Sequence, residues 1–363
     1  MFEVIFLILI SGYFIQSVIF VIGASRKYLR IKFEQLPTAT VIVAARDESE
    51  NILRCLKSLD NIEYDEDKIE IILVDDNSKD GTGKIIDKFI FDKPKFKKIV
   101  PKDASGTLKG KTNALANAIN IAKGEIILTT DADCVVPPLW VKTITSYYRE
   151  DVGAVNGYTT QLAYNSFSGM QAIDFIYLLT IAAGTINLNK PVSCIGNNMS
   201  YRKCAYIDTG GYENLPFSVT EDFNLLHAIQ KLKKYKIIFP LDKEALITSI
   251  PFKKFERLFH QKKRWGIGGL QVSLTGSSIM AWGFATNLYI LLTPLFFTAG
   301  CLYLAVFKLA IDYLVLYFVH KQLGIIKNLR YYLNFEIYFI LYVLILPFIV
   351  AFSRNVTWKG REY

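Results

Sequence analysis

Two apolar blocks, Phe2 to Ser25 and Ile279 to Ser353, enclose a charged middle, and this segregation limits the fold more than any motif does. The first block carries a single charge, Glu3, and is long enough to cross a hydrocarbon core of roughly 30 Å. It runs directly into Arg26, Lys27, Arg30 and Lys32. Basic flanks stay in the cytoplasm, so residues 1–25 read as an uncleaved anchor. A cleaved signal peptide is the competing reading. Its positive start is missing, and Ile22 stands where a cleavage site ahead of Gly23-Ala24 wants a small residue.

Ile279 to His320 is too long for one span, with Thr298-Ala299-Gly300 as the natural turn, and Phe335 to Ser353 makes another. About three spans are therefore expected in 279–353. Lys308 and Asp312 lie four apart on one helix face, where a mutual ion pair is the simpler reading and a proton or substrate relay the alternative. One span before the middle and three after it put the C-terminus outside. The tail 354–363 is basic, with Arg354, Lys359 and Arg361, and points the other way, so the last segment is expected in the interface or re-entrant.

Across 363 residues the hydrophobic fraction is 52% and the charged fraction 21%, which excludes disordered, collagenous and small secreted classes. The net charge of +9 sits beside apolar segments, at Arg26-Lys27, Lys253-Lys254, Lys262 to Arg264 and Lys321 to Arg330. That placement fits juxtamembrane flanks better than a nucleic-acid partner. Five cysteines without a Cys-x-x-Cys spacing indicate free thiols in a reducing compartment.

From Thr38 to Leu162 short β-rich runs alternate with helical ones. Strands are expected at 40–43, 69–74, 98–100, 125–128 and 153–155, and helices at 50–59, 82–89, 112–122 and 139–148. Strands apolar throughout and separated by helices imply a mainly parallel sheet covered on both faces, with ligands at the carboxyl ends of its strands. No Gly-x-Gly-x-x-Gly or Walker sequence follows a strand.

Acidic residues stand at those ends instead. One strand closes in Asp75-Asp76-Asn77-Ser78 and another runs into Asp131-Ala132-Asp133. About one Asp-x-Asp arises by chance in a chain this long. Asp65-Glu66-Asp67 is such a case, most simply a solvated loop. Asp131 and Asp133 differ because they follow a buried strand. Two close carboxylates repel unless a cation joins them, and Mg²⁺ or Mn²⁺ with a diphosphate supplies it; helix N-capping by Asp133 is the alternative. Thr220-Glu221-Asp222 opens an amphipathic helix, with Thr220 as its expected cap. Gln261-Lys262-Lys263-Arg264-Trp265 lies on a helix at 252–265 just before the apolar block. Gln-x-x-Arg-Trp arises by chance on the order of 0.01 times per chain. An interfacial Trp with basic neighbours is its blander reading. The apolar stretch Ser166 to Leu188 reads either as a helix on the bilayer surface that shapes an acceptor entrance or as a buried core helix.

Val74 to Ser78, Asp131 to Asp133, Thr220 to Asp222 and Gln261 to Trp265, in that order between apolar blocks, resemble the membrane-bound glycosyltransferases of family 2, which have the GT-A fold. Val356 to Arg361 resembles the ends of lipid-glycosylating members such as the ceramide glucosyltransferase-like branch. The resemblance implies an α/β GT-A domain at 38–250, interfacial helices at 251–278, and transfer of a sugar from a nucleotide sugar, a UDP-sugar above all, to a lipid in the bilayer. Ala44, Ala45, Arg46, Asp47 and Glu48 match the loop that contacts the nucleoside, Asp76 the acid that reads uracil, and Lys111 the basic residue near the donor. It makes Asp131 and Asp133 the ligands of Mn²⁺ or Mg²⁺, Asp222 the general base, and Gln261, Arg264 and Trp265 the group that closes on the diphosphate and acceptor. Gly196 to Ser200 and Gly210 to Tyr212 resemble acceptor-side segments. Ala44, Asp47 and Ala116 depart from the family's usual Pro, Asn and Asn. One base opposite the leaving group implies inversion, hence a β-glycoside from an α-linked donor. The catalytic domain is expected to face the cytoplasm, at a bacterial inner membrane in preference to ER or Golgi. A processive polysaccharide synthase is the nearest alternative and a non-catalytic membrane subunit a more distant one.

Overall fold

Apolar runs and their terminators decide the elements. In the computed structural model of the chain all residues are described except Ser105, Thr107, Val272, Arg354, Val356, Lys359, Gly360 and Tyr363, and the side chains of Gln271, Thr357, Trp358, Arg361 and Glu362. Of the family-like tail Val356 to Arg361, Val356, Lys359 and Gly360 lie outside the described residues, as does the basic Arg354, while the backbone of Thr357–Trp358 pairs antiparallel with that of Arg361–Glu362. In chain order the elements are α1 (Phe2–Ala24), β1 (Ala39–Ala45), α2 (Ile52–Asp60), β2 (Ile69–Asp75), α3 (Thr82–Ile90), β3 (Phe96–Ile99), α4 (Lys111–Ile121) and β4 (Ile126–Asp131). Next come α5 (Trp140–Ser146), β5 (Val152–Asn156), β6 (Thr159–Gln161), α6 (Ser166–Asn187), β7 (Met199–Arg202), α7 (Lys203–Asp208), α8 (Gly211–Asn214) and α9 (Glu221–Lys231). β8 (Lys236–Ile238), β9 (Ile247–Ser249), α10 (Phe255–Gly268), α11 (Leu274–Leu292), α12 (Ala299–Gln322), α13 (Tyr332–Phe352), β10 (Thr357–Trp358) and β11 (Arg361–Glu362) complete the order.

Two compact units result, neither continuous in sequence. One comprises Lys27–Thr160 and Cys194–Ile250; the other comprises Met1–Arg26, Gln161–Ser193 and Pro251–Tyr363.

The first unit is built on a seven-stranded sheet in the order β3-β2-β1-β4-β7-β5-β8. Val41, Val43, Ile71, Leu73, Ile126 and Leu128 are buried from one face by Ile52, Leu56 and Leu59 of α2 and by Trp140 and Ile144 of α5. Each such side chain contributes about 1.5–3 kcal/mol. β1 runs parallel to β2 and β4, and β2 parallel to β3. β7 is antiparallel to both neighbours and makes the sheet mixed. No strand is expected from sequence at Met199–Arg202. Four residues are too few to show a strand period, and β7 exists because β4 and β5 supply hydrogen-bonding partners on both sides.

The second unit is helical. Among the described residues four segments are long and apolar enough to cross a membrane: α1, α6, α12 and Ile326–Phe352. The region of the three expected spans, 279–353, holds α11, α12 and α13; α12 and the segment ending in α13 are among these four, and α11 starts earlier, at Leu274. Their first break falls earlier than Thr298, because Pro294 cannot continue α11 and the Thr298 hydroxyl accepts the Cys301 N–H (3.0 Å) to start α12. Of the two readings of Ser166 to Leu188, the buried core helix is the one found: Ala172, Ile173, Ile176, Ala183 and Ile186 of α6 are all at most 1% exposed.

Glycines let α1 and α6 approach. A Cβ on Gly23 would come within 2.3 Å of the Gly184 carbonyl oxygen, and one on Gly184 within 2.7 Å of Phe20 Cα. Small residues at a crossing are how helices in lipid bury backbone against backbone. Gly23→Leu is expected to destabilise the unit by about 1–3 kcal/mol or more, read as a lower thermal midpoint in detergent. An unchanged midpoint would refute the close approach.

Lys308 pairs with Asp312 at 2.7 Å, as the four-residue spacing predicts, but it also pairs with Glu336 of α13 at 2.8 Å. Tyr13 donates to Asp312 (2.7 Å) and its hydroxyl lies 2.5 Å from that of Tyr177. The isolated pair of the sequence reading is therefore a buried network across α1, α6, α12 and α13. The extra partners lie in segments too distant for spacing to reveal.

Candidate active site

The parallel register assembles the site's first edge. Ala45 is opposite Asp75 and Ala44 opposite Asp131, so the acids at the ends of β2 and β4 flank the end of β1. Two tight loops leave that edge. Asp47 and Asn77 adopt φ of 52° and 55°, a left-handed geometry that Asp and Asn tolerate better than most residues. The loops are tied together: Ser78 accepts the Asp47 N–H (3.1 Å) and Asp47 accepts the Lys79 N–H (2.8 Å). Arg46 donates to the Asp76 carbonyl (2.9 Å) and lies 3.6 Å from its carboxylate. Asp76 itself is buried, and its N–H donates to Ala45. The Glu48 N–H donates to Thr82, and its carboxylate accepts from Asn51 (2.7 Å). Ala44, Ala45, Arg46, Glu48 and Asp76 thus belong to one edge.

Lys111 opens α4 and joins the next group. Its ammonium is 2.7 Å from Asp131 and 3.2 Å from Glu221. Burial works against its charge, but the carboxylates of Asp131 and Glu221 outweigh that and hold its pKa well above the usual lysine value; Asp222 adds to the same effect. Glu221 is a residue that sequence reasoning missed as a participant, although it stands in the motif that was singled out. Its role depends on a lysine 110 positions away, which no spacing announces.

Asp133 does not cap a helix, since α5 begins at Trp140 behind Leu139. Its carboxylate accepts from the Cys134 thiol (3.5 Å), while its carbonyl accepts from Arg54 (3.1 Å). Cys55 donates to the Asp131 carbonyl (3.7 Å). Burial, then the carboxylates of Asp133 and Asp131, push both thiols up, so these cysteines stay protonated under the acidic pair. All five cysteines are free.

Thr220 occupies the position before α9 but makes no capping hydrogen bond. The donor a cap would take is met by a neighbour instead: the Phe223 N–H donates to Asp222 Oδ1 (2.8 Å), while the Thr220 N–H donates to Ser218 (3.2 Å). Asp222 is packed against the backbone of Gly196, where a Cβ would meet Asp222 Oδ2 at 3.2 Å. Gly196 in turn accepts from Thr129 of β4 (2.7 Å). Cys194 sits beside these acids, its thiol pushed up by burial and then by Asp222 and Glu221. Asp65-Glu66-Asp67 is an exposed single turn, as expected of a solvated loop.

Gln261, Arg264 and Trp265 lie on α10 in the helical unit. Trp265 packs against Phe175 of α6, with ring centroids 5.4 Å apart. Between them in sequence, Lys262 is buried, pairs with Asp174 of α6, and has its ammonium 4.5 Å from the Trp265 ring and 4.9 Å from that of Tyr342.

Among the described residues no group of three or more His, Cys, Asp or Glu side chains forms a metal cage. Asp131 and Asp133 supply two hard carboxylates, and the side chain of Asp131, 37% exposed, already carries a cation in the Lys111 ammonium. This donor set fits a hard divalent ion whose remaining oxygens come from a diphosphate.

Glycosyl transferase family 2 matches residues 40–207, and glycosyl transferase family group 2 matches residues 126–353, well over half of the chain. The chain belongs to glycosyl transferase family group 2. Beta-monoglucosyldiacylglycerol synthase of Trichormus variabilis is 28% identical over 258 residues, 69% of this chain and 53% of that protein. Poly-beta-1,6-N-acetyl-D-glucosamine synthase of Staphylococcus epidermidis is 26% identical over 252 residues, 68% of this chain and 58% of that protein. The chain thus spans little more than half the length of these relatives. Among solved structures, mannosyltransferase PcManGT from Pyrobaculum calidifontis in complex with GDP-Man and Mn²⁺ is similar, with a TM-score of 0.61 at 16% identity over 93% of this chain and 98% of that one. The likeness is one of fold, the GT-A α/β sheet.

Proposed function

We propose that the protein is an inverting, metal-dependent glycosyltransferase that moves a sugar from a nucleotide sugar, in the first instance a UDP-sugar, to a lipid acceptor in the bilayer and leaves a β-glycoside. The observation that carries this reading is the gathering of Asp131, Glu221 and Asp222 around Lys111 beyond the carboxyl edge of the sheet. Arg46, Glu48 and Asp76, with the backbone of Ala44 and Ala45, are assigned to the nucleoside. Asp131 and Asp133 would hold Mn²⁺ or Mg²⁺, which when bound supplies positive charge against the diphosphate leaving group. Lys111 adds a fixed positive charge on the protein's side. Asp222 accepts the proton of the attacking hydroxyl, its carboxylate oriented by the Phe223 N–H and by the Gly196 backbone. Gln261, Arg264 and Trp265 are assigned to the diphosphate and the acceptor end.

The lipid acceptor is supported by the name of the cyanobacterial relative and by the four apolar segments. We assign residues 1–25 to an anchor, 38–250 to the catalytic domain, 251–278 to interfacial helices, 279–353 to further spans and 354–363 to a basic tail. The run Arg26 to Lys32 behind α1 supports a cytoplasmic active site, which we assign to a bacterial inner membrane. A second reading, a processive polysaccharide synthase, is favoured by the staphylococcal relative's name.

The test incubates the lipid-reconstituted protein with UDP- and GDP-sugars, Mn²⁺ or Mg²⁺ and a total lipid extract, followed by mass spectrometry of the lipid fraction. The expected result is a gain of one hexose or hexosamine on a lipid, abolished by EDTA and restored by Mn²⁺. A ladder or insoluble polymer would support the synthase reading, and no product with any donor would overturn both.

A further inference from the structure

Lys111 has two carboxylate partners and one charge. It stands behind Gly110, whose φ of 53° turns the chain into α4, and its ammonium bridges β4 to the first turn of α9 through Asp131 and Glu221. The basic side chain assigned to the donor is therefore turned onto the protein's own acids. Asp131 is also one of the two carboxylates assigned to a divalent ion, so ammonium and metal compete for the same group. Two cations sharing one carboxylate repel each other. A diphosphate relieves that conflict, because it offers oxygens to the metal and a separate anionic partner to the lysine.

We propose that Lys111 is a partner-exchanging counter-ion. Without donor it pairs with Asp131 and Glu221 and keeps a divalent ion off Asp131; with donor it moves to the phosphates and releases Asp131, so that metal enters as the metal–nucleotide complex and not alone. Glu221, with its side chain only 10% exposed, keeps the ammonium within reach in both states. The inference rests on the reading of Asp131 and Asp133 as metal carboxylates.

The experiment measures Mn²⁺ binding to the full-length protein in detergent by electron paramagnetic resonance, with and without UDP or GDP. Wild type is expected to bind Mn²⁺ weakly alone and tightly with nucleotide. Lys111→Met and Lys111→Gln are expected to bind free Mn²⁺ about ten-fold more tightly, the scale of one lost charge-assisted bond, and to lose most of the nucleotide dependence. Lys111→Arg keeps the charge and is expected to behave as wild type. The double variant Lys111→Met, Glu221→Gln is expected to retain the tightening, which assigns the vacated oxygens to Asp131. Free Mn²⁺ binding that stays unchanged or weakens in both neutral variants would overturn the exchange, as would loss of the tightening in the double variant. Wild type that binds no Mn²⁺ even with nucleotide would instead bring down the metal reading beneath it.

Discussion

Asp222→Asn is expected to lower glycosyl transfer by about 10²- to 10⁴-fold, the range for removal of a positioned general base, while leaving nucleotide affinity within a few fold. The substitution is well suited to the site. An Asn amide oxygen can still accept the Phe223 N–H that Asp222 Oδ1 accepts at 2.8 Å, and its volume is that of Asp beside the Gly196 backbone. The start of α9 should therefore survive, and loss of turnover would report the proton acceptor and not the fold. The measurement is single-turnover transfer to lipid together with nucleotide binding by calorimetry. Near-native turnover would remove Asp222 from the role, and equal loss of binding and turnover would make it a structural residue.

Breaking the Lys262–Asp174 pair should produce the largest stability change. Both partners are buried, at 4% and 1% exposure, and the lysine is further enclosed by the Trp265 and Tyr342 rings. Removing one partner of such a pair leaves an uncompensated charge and costs about 3–5 kcal/mol. Asp174→Leu and Lys262→Met alone are each expected to lower the thermal midpoint sharply in detergent. The double variant should recover most of the loss, since apolar replacement of both charges removes the desolvation cost as well. Single variants within a degree or so of wild type would show that the pair does not hold α6 to α10.

The sheet strands and their order of appearance were legible because buried parallel strands are apolar throughout, and their boundaries shift by only a few residues, as at Ile126–Asp131. The acids at strand ends were legible for the same reason: a carboxylate directly after a buried run has nowhere to lie except the open edge. β7 and β8 were not, being four and three residues long and so too short to carry a period. Nor was the absence of a capping bond at Thr220, where the Asp222 carboxylate takes the Phe223 N–H that a capping hydroxyl would accept.

The sequence by itself determined the segregation of membrane-type and α/β segments, the family, and the residue types at the carboxyl edge. These depend on local hydropathy and on short motifs, which a linear chain records. Tertiary structure alone decided that Glu221 and Asp131 share Lys111, that Asp174 holds Lys262, that Glu336 joins Lys308, and that α6 is a core helix. Each of these ion pairs joins residues from 20 to 110 positions apart, and which acid meets which base is set by how strands register and helices cross, not by spacing along the chain.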